Sequence, residues 1–499
     1  MTACRIDKPW LGNGRSSGSC YWGRRVTDIA NTMSKARQGK RARTGINASI
    51  AVVMACATAL ATAAPIAAQG LPLIRDTEIE LLLKDYARPL FKAAGLGSQN
   101  ITMRIVRHDS FNAFVADGRN VFMNSGALTI AKSPNEVIGV IAHETGHITG
   151  GHLAQLRARI ARDQTKAMLV AVLGIGAMIA GAASNNQNAR ELGGLGQGVM
   201  LGGNDVIIRG LLAERRSQEA AADQAGLQLL QTTKQSGKGM LATFERFAQQ
   251  EFISEQHMDP FVRSHPVATT RLAQLRDRVA KSPYHNELDP PALQLRHDMM
   301  RAKISGYMDR TQTVFNRYPA TDNSLPARYA RAIARNCSGT CTQGLAEVDA
   351  LLKEQPNNAF FWELKGNLHL RSGKNAEAVP FFRKALTLIS PDDAPLMQVN
   401  LAQALLATQD PKVVDEAIVL LRKATLSDQD FAPSHRQLAN AFARKELMPQ
   451  ADLATAQAHF LEGNVKQAQI FAKRAQTKLP KGSPEWIKSE DIISYKEPS

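Results

Sequence analysis

His143, Glu144 and His147 stand in the run His143-Glu144-Thr145-Gly146-His147, the pattern H-E-x-x-H. On a helix, residues i and i+4 share a face. Two imidazoles at that spacing can therefore reach one ion at about 2.0–2.1 Å, and the carboxylate between them can take a proton from water. Val137, Ile138, Val140, Ile141 and Ile148 surround the motif, which makes this helix apolar and places it in a core. Two imidazoles and a carboxylate buried without a charge partner would be costly. The pattern points to zinc held by His143 and His147, with Glu144 as general base, rather than to a histidine pair on a solvated face.

A catalytic zinc takes three protein ligands and keeps one position open. His152 is one candidate for the third. The extended metzincin pattern needs Gly at 150, which is present, and His at 153, where this chain has Leu. On a continuing helix His152 lies about 140° round from His147, which turns it away from the ion and leaves it a supporting or structural role. A second helix offers a better donor. In AERRSQEAAADQAG, Glu219 and Asp223 are again four residues apart, so Glu219 can bind the ion while Asp223, one turn on, orients a ligating histidine through its free N–H.

These residues need elements to hold them. Ser133-Pro134-Asn135-Glu136 reads as a helix start, with Ser133 as N-cap, Pro134 at the first helical position and Glu136 closing a capping box. Upstream, ITMRIVRHDSFNAFVADGRNVFMNSGAL breaks into short β-prone runs at Asp117-Gly118 and Ser125-Gly126. The expected fold class is α+β, with a mainly helical metallopeptidase domain and a small edge sheet over residues 71–285. Within it, Ala167 to Ala183 is an uncharged run of 17 residues, at the lower edge of membrane-spanning length. A single crossing would put His143 and Glu219 on opposite sides of a bilayer. The run is therefore read as a buried helix, a re-entrant hairpin or a lid near the cleft, in peripheral contact with a membrane surface. The Gly-rich stretch that follows, ELGGLGQGVMLGGND, lacks the strand-turn-helix context of a nucleotide loop.

From about 290 to 480 the chain repeats. With Leu325 as position 1 of a 34-residue unit, Ala332 falls at 8, Gly344 at 20 and Pro356 at 32. A restart at Ala359 puts Trp362 at 4, Gly366 at 8, Ala378 at 20, Phe382 at 24 and Ala385 at 27. The pairs Ala417/Ala424 and Ala451/Ala458 continue the series, and Ala468/Ala475 mark a capping helix. These are tetratricopeptide anchors, predicting an all-α solenoid rather than an unrelated bundle, with 481–499 as a tail.

The N-terminus reads as an address. Lys35, Arg37, Lys40, Arg41 and Arg43 precede an apolar run from Ile46 to Leu60, and small residues around Pro65-Ile66-Ala67-Ala68 suggest a cleavage site. Residues 1–68 are then an extension and signal peptide, with Met33 as a candidate true start. Ten Lys/Arg against two Asp/Glu fall within residues 1–43, half of the net +16. The remainder is mildly basic and has no dense basic stripe interleaved with aromatics, which argues against nucleic acid as a partner. Cys56, after Val53-Met54-Ala55, forms an imperfect lipobox and offers lipid anchoring as a secondary reading. Export would leave Cys337 and Cys341 as a disulfide or as two free thiols.

HETGH, EAAAD, NAFVADGRNVFMNSGAL and SHPVATTRL together resemble the HtpX-related gluzincin metallopeptidases. With an export signal and C-terminal repeats, the chain is similar to the BepA-type periplasmic subgroup. The resemblance implies a periplasmic zinc endopeptidase with one Zn2+ per chain, acting on unfolded or misassembled outer-membrane proteins and having chaperone-like activity. It also implies contact with the outer-membrane assembly machinery through the repeats. A rival reading is a periplasmic scaffold whose repeats dominate and whose protease is latent. In this family context His265, before Pro266, could stabilise an oxyanion, occupy the open zinc position in a latent state, or sit in a surface turn. Arg271 could pin that segment. Substrate would add as a strand along Asn112, Ala113, Phe114, Val115 and Ala116.

Overall fold

A computed structural model describes residues 71–496 apart from 117, 160, 163–212, 249–264, 266–268 and 336–340. The N-terminal extension with Cys56, the apolar run 167–183 and Cys337 lie outside the described residues. No described helix is long and apolar enough to cross a membrane.

The fold is α+β. Strands β1 (Leu73–Ile74), β2 (Thr102–Val106), β3 (Ala113–Val115) and β4 (Asn120–Asn124) form one sheet in the order β1-β2-β4-β3. β2 and β4 run parallel and the other pairs antiparallel, so β3 is an edge. In β4 the alternation is direct: Val121 and Met123 are buried while Phe122 is half-buried and stacks on Phe114 at 5.2 Å. Helix α1 (Thr77–Ala93) starts where Asp76 accepts from the Ile79 N–H at 3.1 Å. Its Leu82, Leu83, Tyr86 and Leu90 join Ile105, Met123 and Ile141 in one core.

After the short α2 (Ser125–Ile130), α3 (Pro134–Thr149) runs through that core, with residues 136–146 buried. Ser133 caps it through the Glu136 N–H at 3.4 Å, and Pro134 sits in its first turn. Glu136 reaches back one residue further than a capping box requires, accepting from Lys132 N at 3.1 Å, and its other oxygen binds Arg246 at 2.6 Å. α3 stops at Gly150 and Gly151, the latter at φ +62°, and the chain resumes as α4 over 152–159. Then come α5 over 213–232, α6 (Lys238–Phe247) and α7 (Thr269–Lys281).

Two glycines bring α3 against its partners. A Cβ at Gly139 would lie 2.6 Å from Met240 N of α6, and one at Gly146 would lie 2.7 Å from Ala222 O of α5. Only glycine permits that approach, and the second contact sets α5 beside H-E-x-x-H.

Later helices follow one another with short connections: α8 (Pro291–Met308), α9 (Thr311–Arg317), α10 (Leu325–Ala334), α11 (Thr342–Glu354), α12 (Ala359–Arg371), α13 (Asn375–Thr387), α14 (Pro395–Ala407), α15 (Val414–Ser427), α16 (Ala432–Arg444), α17 (Met448–Leu461), α18 (Val465–Gln476) and α19 (Pro484–Ser494). Ala378, Ala385, Ala417, Ala424, Ala451, Ala458, Ala468 and Ala475 are all buried, and the Phe382 ring lies over Gly366, where a Cβ would meet it at 3.0 Å. α19 falls in the segment read from sequence as a tail. It is capped by Ser483 and buries Ile492 against the preceding helix. Cys341 is disulfide-bonded.

Candidate metal centre

Helix α3 presents His143 and His147 on one face, α5 presents Glu219, and His265 arrives from the segment before α7. Among the described residues these four side chains form the one group with metal-ligand character, their donor atoms all within 4.8 Å of one another. His143 Nε2 lies 3.1 Å from His147 Nε2, 3.2 Å from His265 Nδ1 and 3.4 Å from Glu219 Oε2. Glu219 Oε1 lies 3.4 Å from His147 Nε2, and Glu219 Oε2 lies 3.1 Å from His265 Nδ1. Bonds of about 2.0–2.1 Å in a tetrahedron correspond to donor separations of about 3.3–3.4 Å. The spacing fits a small tetrahedral cation.

The outward nitrogens support that fit. His143 Nδ1 lies 2.9 Å from Asp223 Oδ1, and His147 Nδ1 lies 2.9 Å from His152 Nδ1. His265 Nε2 lies 3.2 Å from the Ala113 carbonyl. With a proton on each outer nitrogen of the three rings, their lone pairs and a carboxylate all point at the same small volume. Four acceptors facing one another repel unless a cation lies between them. Glu144 is beside this volume: its buried Oε1 accepts no hydrogen bond from the described residues and sits 3.4 Å from His265 Nε2.

The electrostatics favour positive charge here. Burial pushes Glu219 up, but His265, His143 and His147 outweigh it and hold this carboxylate well below its usual range. Burial opposes charge on His143 as well, yet Asp223 and Glu219 raise it to about 10. Asp223 is pulled below its ordinary value, against burial, by His143 and Arg271. Arg271, from α7, grips Asp223 with two hydrogen bonds of 2.7 and 2.9 Å, and its Nη1 lies 3.3 Å from Glu219. Its guanidinium also lies 5.4 Å over the Phe244 ring.

Three features go beyond what spacing alone suggests. His265 stands as a fourth donor where an open position was one expectation, and its ring also reaches the edge strand that begins at Ala113, next to Asn112. His152 is turned toward His147 because α3 ends before it. The Gly150-Gly151 pair is the sequence signal for that stop. Gly146, a variable position of the motif, is the contact point for α5.

Residues 74–279 match the profile of peptidase family M48. The chain is 25% identical over 422 residues to the beta-barrel assembly-enhancing protease of Escherichia coli (strain K12), covering 83% of this chain and 82% of that protein. It is 25% identical over 432 residues to the protein of the same name from Yersinia pestis, with the same coverage. The metalloprotease LoiP of Escherichia coli (strain K12) is 28% identical over 201 residues, which is 39% of this chain and 71% of LoiP. Residues 74–279 of this chain carry a peptidase family M48 domain, and the chain is a metalloprotease.

Proposed function

We propose that the protein is a zinc endopeptidase of the bacterial periplasm that acts on unfolded or misassembled outer-membrane proteins. The convergence of His143, His147, Glu219 and His265 beside Glu144 carries this reading, with the similarity to beta-barrel assembly-enhancing proteases over most of the chain as its second support. His143, His147 and Glu219 would hold the ion, and Asp223 would orient His143. Bound there, zinc supplies Lewis acidity to a water and to the scissile carbonyl. Glu144 takes the water's proton and returns it to the leaving amine. An extended substrate adds to the outer edge of β3 along Ala113 and Val115, a mode that selects unfolded segments over sequence. Residues 71–285 are the catalytic domain. The helices of 290–480 are tetratricopeptide units that dock substrates or assembly partners.

His265 favours a latent resting state. Its Nδ1 lies among the metal donors while its Nε2 donates to Ala113 O, so one ring holds both the fourth donor position and an edge-strand acceptor. Its departure would free both, and His265→Ala is expected to keep zinc and raise cleavage of an unfolded substrate. The primary test is Glu144→Gln. Cleavage should fall by about 10²–10⁴-fold, the size of a general-base contribution, with zinc content unchanged. Proteolysis at the wild-type rate would refute the assignment.

A further inference from the structure

The two histidines of H-E-x-x-H are held differently. His143 has a carboxylate behind it, Asp223, at 2.9 Å. Behind His147 at the same distance is another imidazole, that of His152. We infer that His152 is the positioning residue of His147, fixing its tautomer and ring plane from a turn built for that purpose. This rests on the reading of His143, His147 and Glu219 as the zinc ligands.

The turn is specific. Gly151 takes φ +62°, a conformation that ends α3 and separates it from α4. The His152 ring then lies across Gly150, where a Cβ would stand 2.3 Å from Nε2 and 2.8 Å from Cδ2. Any side chain at 150 would push the ring away. Gln155 closes the turn, its Nε2 donating to Gly150 O at 2.8 Å. The ring is buried, 8% exposed, and meets His147 edge-on at 80° with centroids 5.0 Å apart.

Proton placement follows from the geometry. With His147 Nε2 facing the other donors, its Nδ1 carries the hydrogen and donates to His152 Nδ1. His152 then carries its own hydrogen on Nε2. One proton lies between the two rings, and a residue without an acceptor at that point leaves a buried N–H unmatched and the His147 ring free to rotate.

The test uses the full chain and zinc itself. Zinc affinity is measured by competition with a chromogenic chelator, and ligand geometry by the visible absorption of the Co2+-substituted protein. Removal of such a partner weakens metal binding by about 10–100-fold, so His152→Leu should do so and shift the Co2+ bands. His152→Asn, which keeps an acceptor near the position of Nδ1, should recover most of the affinity. Gly150→Ala should reproduce the loss with the imidazole still present, and it carries the test if His152→Leu does not fold. Affinity within about twofold of wild type in both Gly150→Ala and whichever His152 variant folds, with unchanged Co2+ bands, would overturn the assignment. Zinc affinity in His143→Ala equal to that of wild type would instead overturn the underlying metal reading, and this control tells the two failures apart.

Discussion

The metal centre and the cluster around Lys303 bury similar groups in opposite arrangements. At the centre, acceptors on α3, α5 and the His265 segment converge on a point; Arg271 meets Glu219 and Asp223 from the side, and the charge at the focus itself must come from a cation. Around Lys303 of α8 the counter-charge is built in. Its ammonium lies 2.8 Å from Asp76, 3.1 Å from Glu78 and 3.9 Å from Glu363, with the Tyr329 hydroxyl donating to Glu78 at 2.9 Å. Burial works against the Lys303 charge, but Asp76, Tyr329, Glu78 and Glu363 hold its pKa well above the usual lysine value. The difference teaches how to read a buried carboxylate: whether the group at its focus is a side-chain cation or a set of lone pairs decides between a joint and a site. Here the joint ties the start of α1 to α8, α10 and α12, and ion pairs Lys84–Asp393 at 2.8 Å and Arg104–Asp430 at 3.3 Å extend the link to the connections before α14 and α16.

Removing the built-in cation should have the largest effect. Lys303→Met leaves the buried Glu363 and the half-buried Asp76 and Glu78 without their partner, and breaking a buried pair from one side costs about 3–5 kcal/mol. Urea unfolding with zinc in excess should show a loss of that size, while the zinc affinity of the folded protein stays as in wild type. A loss below about 1 kcal/mol would mean that the cluster behaves like a surface ion pair and that the comparison fails.

The matching change at the centre should act on the metal first. Asp223→Asn removes the carboxylate behind His143 and should weaken zinc binding by about 10–100-fold in chelator competition. An affinity equal to wild type would show that Arg271 and Glu219 orient the site without Asp223.

Legibility in the sequence follows the same divide. The H-E-x-x-H pair, the E-x-x-x-D helix and the small residues now buried at Ala378, Ala385, Ala417 and Ala424 could be read because each is a local pattern at helical spacing. The sheet was visible as β-prone runs broken by turns. A supporting role for His152 is legible from its spacing, but its direction toward His147 is not, because the 140° offset assumes a continuous helix that the left-handed Gly151 breaks. The fourth-donor position of His265 depends on contacts with His143 and Ala113, 122 and 152 residues away in the chain, and no spacing encodes that. The capped helix at Pro484–Ser494 was read as a tail because a short run of modest amphipathicity becomes a helix through its packing on the preceding one. Lys303 carries no local mark, since its three carboxylates come from positions 76, 78 and 363.

The subtlest prediction separates the two clusters by pH. Burial raises Glu363 from the usual 4.5 to about 7, with Lys303 pulling the other way and Asp76 and Glu78 adding to the rise. A raised carboxylate pKa means that the folded protein keeps a proton which the unfolded chain releases between about pH 4.5 and 7. Stability contributed by the protonated form is therefore present at low pH and lost as pH climbs through that window. Glu363→Gln keeps the amide-bearing partner Asn400, whose Nδ2 donates to Glu363 Oε1 at 2.9 Å, and removes the titration. Unfolding free energies of wild type and Glu363→Gln, each measured from pH 5 to 8 with zinc present, should diverge by about 2–3 kcal/mol, the wild type losing more as pH rises. Titration of the histidines at the metal centre is common to both proteins and cancels in the difference. Parallel curves would show that Lys303 keeps Glu363 ionised throughout, and the cluster would then be a fixed ion network at every pH tested.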